Sequence, residues 1–495
     1  RRQLLNQENC RKISRNYKVK IKGTEHMNIR RILAVWAAKA TGFACKKMGR
    51  QGVTWAGKIA LKIYPPVLKE LAGEVKKDIF VVCGTNGKTT TNNMLCAALE
   101  AEGQKVICNH TGSNMLNGVV AAFVLGAGLN GHIKADYACI EVDEASTRYI
   151  FPQIKPDYMV MTNLFRDQLD RYGEIDITMN ILEEMIRKVP KMKLVVNGDD
   201  ALSAYLAMDS GNACTYYGIS KPVMKSKTNE IREGRFCKRC GERLQYSFYH
   251  YSQLGDYKCP KCGFQRPLPK YDASDVQVGD QLSFRVEDHK ITANYKGFYN
   301  VYNILAAYAG IRTAGFKAEH FQDMLKKFNP ENGRMEQFRD PQSNTLAIVD
   351  YAHNYASVTA LLDFVYERWG EENPRITLVT GSAGNKAYDR RKEIVEAAEN
   401  RIANFIFTAE DTDTEPIIDI CMEMQGYITN KDVVSTVISD RLTAITNAIY
   451  DARAHADRFN ILLIIGKGNE RWIKDHRKHV PFDGDDHVVE RMFGL

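Results

Sequence analysis

Two sets of residues in this 495-residue chain have the types and spacing to do chemistry. The first is Gly84-Thr85-Asn86-Gly87-Lys88-Thr89-Thr90, which directly follows the apolar run Ile79-Phe80-Val81-Val82-Cys83. A glycine turn between a strand and a helix aims successive backbone N–H groups at one point, and the helix N-terminus adds positive potential there. That is a phosphate site. Lys88 is placed to meet the β and γ phosphates of a nucleotide, and the Thr89 hydroxyl to hold Mg²⁺. The strict form of the loop has glycine where Val82 stands, so this is a shortened form.

The second set is Cys237-x-x-Cys240 and Cys259-x-x-Cys262, separated by 18 residues, each pair running on into glycine. Four thiolates at this spacing suit tetrahedral Zn²⁺. Four protein ligands close the coordination sphere, so the expected role is structural. The lysines and arginines around these pairs are offset by acids, and no nucleic-acid partner is expected. The other cysteines are scattered among apolar residues, as in a reducing cytosol.

Elements must position these groups. Residues 28–63 have helical spacing, interrupted by Gly49, Gly52 and Gly57 and closed by Pro65-Pro66. Short apolar strands are expected at Asp78–Cys83, Lys105–Ile107, Tyr137–Val142, Tyr158–Asn163 and Leu194–Asn197, alternating with helices. The helix after the loop is expected to run from Thr90 through Leu99 and to close at Gly103. Val119–Gly128 reads as a buried helix. Residues 222–272 break the rhythm, and the alternation resumes at Gly297 with a helix from Val301. A second alternating set follows Asn329-Pro330, with strands at Leu346–Val349, Ile376–Val379 and Ile461–Ile465.

The fold expected is α/β: a central phosphate-loop domain with a parallel sheet and a zinc-ribbon insertion, followed by a smaller Rossmann-like α/β domain. The expected division is a basic disordered tail (1–26), a helical lead-in (27–77), the ATP-binding domain (78–330, with the insertion at 222–272) and a C-terminal domain (331–495). Much of the net charge of +8 lies before residue 32; such a tail can touch nucleic acid or an anionic membrane, but a solvated tail is the favoured reading. Met27 reads as the natural start. No run approaches the roughly 18 apolar residues of a membrane span, and no secretory signal is visible, so the expected place is the cytoplasm, with at most peripheral contact at the inner membrane face.

Gly84–Thr90 has the form found in Mur ligases and folylpolyglutamate synthase, which join a carboxylate to an amine using ATP. Further matches come in that family's order: Glu141 in Ile140–Glu144; Thr162-Asn163 with Asp167 and Asp170; Asn197-Gly198-Asp199-Asp200; Asn300 and Asn303; Gly333-Arg334-Met335-Glu336; and Asp350-Tyr351-Ala352-His353-Asn354. The chain thus resembles the Mur ligase family from about Asp78 onward. The resemblance implies acyl-phosphate chemistry. Lys88 and Mg²⁺ stabilise the transferring phosphoryl group, Thr89 and Glu141 ligate Mg²⁺, Asn303 holds the nucleotide, Arg334 meets phosphates across a cleft, and Asp350 binds the ribose.

There are departures. Gln168 stands where many members have a histidine, and Leu182 where many have a lysine serving a second metal. Only the lead-in precedes the loop, where the family has a domain for the UDP sugar. The front resembles the MurT branch, which amidates the stem-peptide glutamate of lipid II with ammonia from a class I glutaminase (GatD-like) subunit. The back resembles the MurE branch, which adds an amino acid to a UDP-muramoyl peptide. Its matching pieces are Gly381–Asn385, Asp389–Lys392, Thr408–Glu415 and Gly466–Glu470. Asp413 stands where an arginine suits diaminopimelate, and an acid there favours a cationic or neutral amine; capping its loop accounts for it equally. Glu470 is a second candidate to face the amine. The expected activity is ligation on a peptidoglycan precursor, with MurT-like amidation ahead of MurE-like addition. The remaining alternative is a non-catalytic ATP-binding zinc-ribbon protein.

Overall fold

The computed structural model describes residues 28–47, 53–164, 174–223, 235–279, 281–294, 297–328 and 335–495. The expected tail and the residues Asp167, Gln168, Asp170, Gly333 and Arg334 lie outside them.

A strand that is apolar along its whole length must be covered on both faces. β1 (Ile79–Cys83) and β4 (Tyr158–Met161) are such strands, and β3 (Tyr137–Glu141) is apolar up to its terminal Glu141; all three are buried at every position. With β2 (Val106–Cys108), β5 (Lys193–Asn197), β6 (Cys214–Gly218) and β9 (Tyr271–Asp272) they form a seven-stranded sheet. Its order is β2-β3-β1-β4-β5-β6-β9, and every neighbouring pair is parallel. One face packs Phe80 and Val82 against Leu95 and Leu99 of helix Lys88–Ala101 and Ile304 and Leu305 of helix Tyr299–Thr313. The other packs Val81 and Cys83 against Val120 and Phe123 of helix Leu116–Gly126 and Leu182 of helix Glu174–Lys188. Leu182, at the family's metal-serving lysine position, is fully buried in this core.

The lead-in forms helices Ile29–Lys47, Val53–Ile63 and Val67–Ala72. Gly57 does not interrupt the second. It lies buried inside it, and a Cβ there would come within 1.8 Å of the Asn117 carbonyl oxygen. Its missing side chain lets this helix press against helix Leu116–Gly126.

The cysteine-pair segment carries the hairpin β7 (Gln245–Tyr251) and β8 (Leu254–Lys258). Before helix Tyr299–Thr313 comes an antiparallel meander of β10 (Ser274–Val278), β11 (Leu282–Val286) and β12 (His289–Ala293), which the sequence reading did not separate.

The second sheet comprises β13 (Glu336–Arg339), β14 (Thr345–Asp350), β15 (Arg375–Thr380), β16 (Asn404–Phe407), β17 (Val434–Val437) and β18 (Asn460–Ile465). Its order is β13-β14-β18-β15-β16-β17, parallel except for β13. Helix Tyr355–Trp369 covers one face and helix Arg441–Ala454 the other. A hairpin, β19 (Trp472–Asp475) with β20 (Lys478–Pro481), follows β18.

Candidate functional site

In a parallel sheet, loops leaving the carboxyl ends of strands meet where the strand order reverses. β1 sits at that point, between β3 and β4. The glycine loop leaves β1, Glu141 ends β3, and Thr162-Asn163 follow β4. Gly87 has φ 80°, and a Cβ on it would lie 2.1 Å from the Asn303 side-chain oxygen, so the loop presses onto Asn303. Asn303 in turn donates to Asn300 at 2.9 Å. Asn163 holds the loop from the other side: its carbonyl accepts from Thr85 N–H at 2.7 Å, and its side chain accepts from Asn86 N–H at 2.9 Å.

Two acids meet the loop's charged end. Thr89 Oγ1 donates to Glu141 at 2.7 Å, and Asn114 donates to the other Glu141 oxygen at 2.8 Å. Hard oxygen donors of this kind fit Mg²⁺. Lys88 Nζ donates to the Thr85 carbonyl at 3.1 Å and pairs with Glu144 at 3.2 Å; Gly84 N–H also donates to Glu144 at 2.9 Å. Burial pushes the Glu144 carboxyl above its ordinary range, and Lys88 opposes that. The sequence reading did not single out Glu144; its one signal was an acid three residues after Glu141.

The loop opens into a cleft of about 930 Å³ whose far wall comes from the second sheet. Asp350, at the end of β14, lines it. Its carboxylate accepts from Met335 N–H and Ala352 N–H, each at 2.8 Å. Met335 directly follows Arg334. Glu410, Asp411, Lys467 and Glu470 also line the cleft. Lys467 is buried, pairs with Asp411 at 2.8 Å and with Glu470, and lies over the Trp472 ring. Burial raises the Glu470 carboxyl, with Lys467 opposing. Glu410 is 7% exposed, and its Oε2 has no hydrogen-bond partner among the described residues. Asp413 is placed differently. It pairs with Lys474 at 2.8 Å, which draws its carboxyl down, and it is not among the residues lining the cleft.

The cysteine pairs converge. The ligand atoms of Cys237, Cys240, Cys259 and Cys262 all lie within 4.8 Å of one another. Cys237–Cys262 and Cys240–Cys259 sulfur atoms are 3.5 Å apart, too far for a disulfide at about 2.05 Å. They are close to the separation of roughly 3.8 Å that four sulfurs at about 2.3 Å from one ion adopt. Each pair forms a turn in which the first cysteine's carbonyl accepts from the following glycine N–H, Gly241 to Cys237 and Gly263 to Cys259. This donor set fits a soft ion such as Zn²⁺.

Asn197–Asp200 clamps this segment to the sheet. Arg266 pairs with buried Asp199 at 2.6 Å, Tyr302 donates to Asp199 at 2.8 Å, and Gln253 donates to Asp200 at 2.6 Å. Burial lifts the Asp199 carboxyl to about 6 against the pull of Arg266. His250 sits beside Asp199, bonded to Tyr302 OH at 3.0 Å and to the Lys221 carbonyl at 2.9 Å, and burial lowers its imidazole to about 4.

The glycine loop on one sheet thus faces, across one cleft, a wall of charged side chains on the other. Residues 82–311 match the Mur ligase middle domain, and residues 333–468 the Mur ligase glutamate ligase domain. The chain is 35% identical over 358 residues to the MurT subunit of lipid II isoglutaminyl synthase (glutamine-hydrolyzing) from Staphylococcus aureus, covering 72% of this chain and 80% of that one. A UDP-N-acetylmuramyl-tripeptide synthetase from Bifidobacterium longum is 77% identical over 229 residues, 46% of this chain and 43% of that protein's length. A pseudomurein peptide ligase type C from Methanothermus fervidus superposes with TM-score 0.64 at 26% identity, covering 80% of this chain and 77% of that one. The chain belongs to the Mur ligase family, whose members are ATP-dependent ligases.

Proposed function

We propose that this ligase amidates a carboxylate of a peptidoglycan precursor, in the MurT manner. The observation that carries this is the 35% identity to the S. aureus subunit over 80% of its length. A carboxylate oxygen of the precursor attacks the γ-phosphorus of ATP, ADP departs, and an acyl phosphate forms. Ammonia then attacks the acyl carbon, and phosphate leaves. Lys88 and the loop N–H groups stabilise the transferring phosphoryl. Thr89 and Glu141 are the residues to hold Mg²⁺, which supplies charge neutralisation. Asn303 and Asp350 are the residues proposed to grip the nucleotide, with Arg334 to meet its phosphates. Glu410 and Glu470 form the wall that receives the nitrogen, and their carboxylates are positioned to take up a proton as the amide forms. The Glu410 carboxylate, whose Oε2 has no hydrogen-bond partner among the described residues, favours ammonia or a cationic amine over one bearing a further carboxylate. A class I glutaminase is the partner that fits this chemistry, and lipid II the donor. The four cysteines hold a structural Zn²⁺.

A second reading has one specific support, the 77% identical segment shared with the tripeptide synthetase. In that case the amine is an amino acid bound directly. Incubation with ATP, Mg²⁺ and lipid II or a UDP-muramoyl peptide, offering ammonium, glutamine with a glutaminase, or single amino acids, separates the two. Mass spectrometry reads either a hydroxyl replaced by an amino group or a residue gained. No product with any amine, and no phosphate release, overturns both.

A further inference from the structure

The first helix of the lead-in, Ile29–Lys47, has two apolar faces, and the fold uses only one. Ala34, Val35 and Ala38 are fully buried against the body. Arg31 fixes that orientation: it is 8% exposed and pairs with Glu74 at 2.9 Å and Glu70 at 3.4 Å. The opposite stripe, at i, i+4, i+7 and i+14, is Ile29, Leu33, Trp36 and Phe43. Each is about half exposed or more, Phe43 at 73%. Trp36 donates from Nε1 to the carbonyl of Leu129, another exposed apolar residue, so the stripe continues onto the loop after helix Leu116–Gly126. The second lead-in helix adds exposed Trp55, with Lys58 over its ring, and exposed Lys62.

Charge separates this surface from ordinary unpartnered apolar area. Residues 29–63 contain eight Lys and Arg and no Asp or Glu. Residues 1–63 together hold sixteen bases and two acids, whereas the remainder of the chain holds 52 bases and 58 acids. Exposed aliphatic and aromatic side chains framed by cations alone match a bilayer interface with anionic headgroups. A nucleic-acid surface also wants cations and aromatics, but gains nothing from Ile29 and Leu33. No helix among the described residues is long and apolar enough to cross a membrane, so the helix would lie in the interfacial plane.

We propose that the exposed face of helices Ile29–Lys47 and Val53–Ile63 docks this protein on an anionic membrane surface. The docking is independent of which amine the cleft receives. It would hold the ligase beside a membrane-borne substrate.

The test is flotation of the full chain with vesicles of phosphatidylcholine alone or containing about one-third phosphatidylglycerol. The protein is expected to float with the anionic vesicles, and to stay behind with neutral ones. Ile29→Ser with Phe43→Ser, and separately Lys58→Glu with Lys62→Glu, each lower partitioning by about tenfold or more. Neither changes ATP binding at the glycine loop, which reports an intact fold. Absence of flotation, equal flotation with neutral vesicles, or variants that float like the wild type overturn the proposal. So does a serine variant that converts a dimer to a monomer in size-exclusion chromatography while vesicle binding is unchanged; that result assigns the face to a second copy of the chain.

Discussion

At the residue scale, the glycine loop was legible in the sequence because its chemistry is local: seven consecutive residues between a strand and a helix. What surrounds Lys88 was not, because Glu144 reaches it through the fold. Glu144 neutralises Lys88 and accepts from Gly84 N–H, so incoming phosphates compete with a buried carboxylate for both groups. Glu144→Gln keeps an acceptor for Gly84 and removes the charge. ATP affinity is then expected to rise several-fold, on the order of 1 kcal/mol; equilibrium titration with a non-hydrolysable ATP analogue that shows equal or weaker binding counts against this competition. Lys88→Ala leaves the acid and loses the phosphate contact, and kcat is expected to fall by roughly 10² to 10³. The amine wall gives a second contrast. Asp413 pairs with Lys474 outside the cleft, whereas Glu410 and Glu470 line it, Glu470 in a pair with Lys467. Glu410→Gln and Glu470→Gln are expected to raise the amine KM or lower kcat by about tenfold or more. Asp413→Asn is expected to change either by less than about twofold. Steady-state phosphate release against amine concentration checks this; an Asp413 effect equal to the others returns that residue to the site.

At the element scale, the buried strands β1, β3 and β4 could be read from composition because their residues are apolar, apart from Glu141 at the end of β3. The meander β10–β12 carries the other strand signature: in Leu-Ser-Phe-Arg-Val, Leu282, Phe284 and Val286 are buried and Arg285 exposed. That period-two signal was present, and the dominant alternation of the larger sheets overshadowed it. The cysteine segment could be seen in sequence, but its docking could not, because His250, Gln253 and Arg266 meet Asp199 and Asp200 only in three dimensions. This docking has a pH signature. His250 titrates at about 4 in the fold against 6.5 ordinarily, so the folded state binds fewer protons, and its stabilisation is present above pH 6.5 and lost as pH falls towards 4. Asp199, raised to about 6 from 3.8, acts oppositely: its contribution is present below pH 3.8 and lost as pH rises through 6. The two oppose each other across the same window. His250→Gln removes only the first, so the difference between wild-type and variant urea midpoints is expected to grow from pH 4 to 6.5, by up to about 3 kcal/mol of stability. A difference that stays flat across that window rules out a neutral buried His250.

At the scale of the whole molecule, the cleft belongs to neither sheet alone. The loop side supplies Lys88, Thr89, Glu141 and Asn303, and the other side Asp350, Glu410 and Lys467. The sequence indicated both halves through separate motifs, but the spacing across the cleft depends on packing that no local pattern encodes. Asn354, which caps helix Tyr355–Trp369, reaches Asn86 in the loop at 3.5 Å, so the two units touch beside the loop. A ligand held by both sides stabilises both by mass action, by about 2.7 kcal/mol at a concentration a hundred times its Kd. If ATP touched only the loop, the unit built on the seven-stranded sheet would gain stability and the other would not. The cleft geometry therefore predicts that ATP with Mg²⁺ raises the unfolding transitions of both units together. Native-state hydrogen exchange can follow β1 and β18 separately, and protection is expected to rise in both. Asp350→Ala is expected to abolish the gain at β18 while preserving most of it at β1. A gain confined to β1 in the wild type would mean that the second sheet contributes nothing to nucleotide binding, and the role given to Asp350 would fall with it.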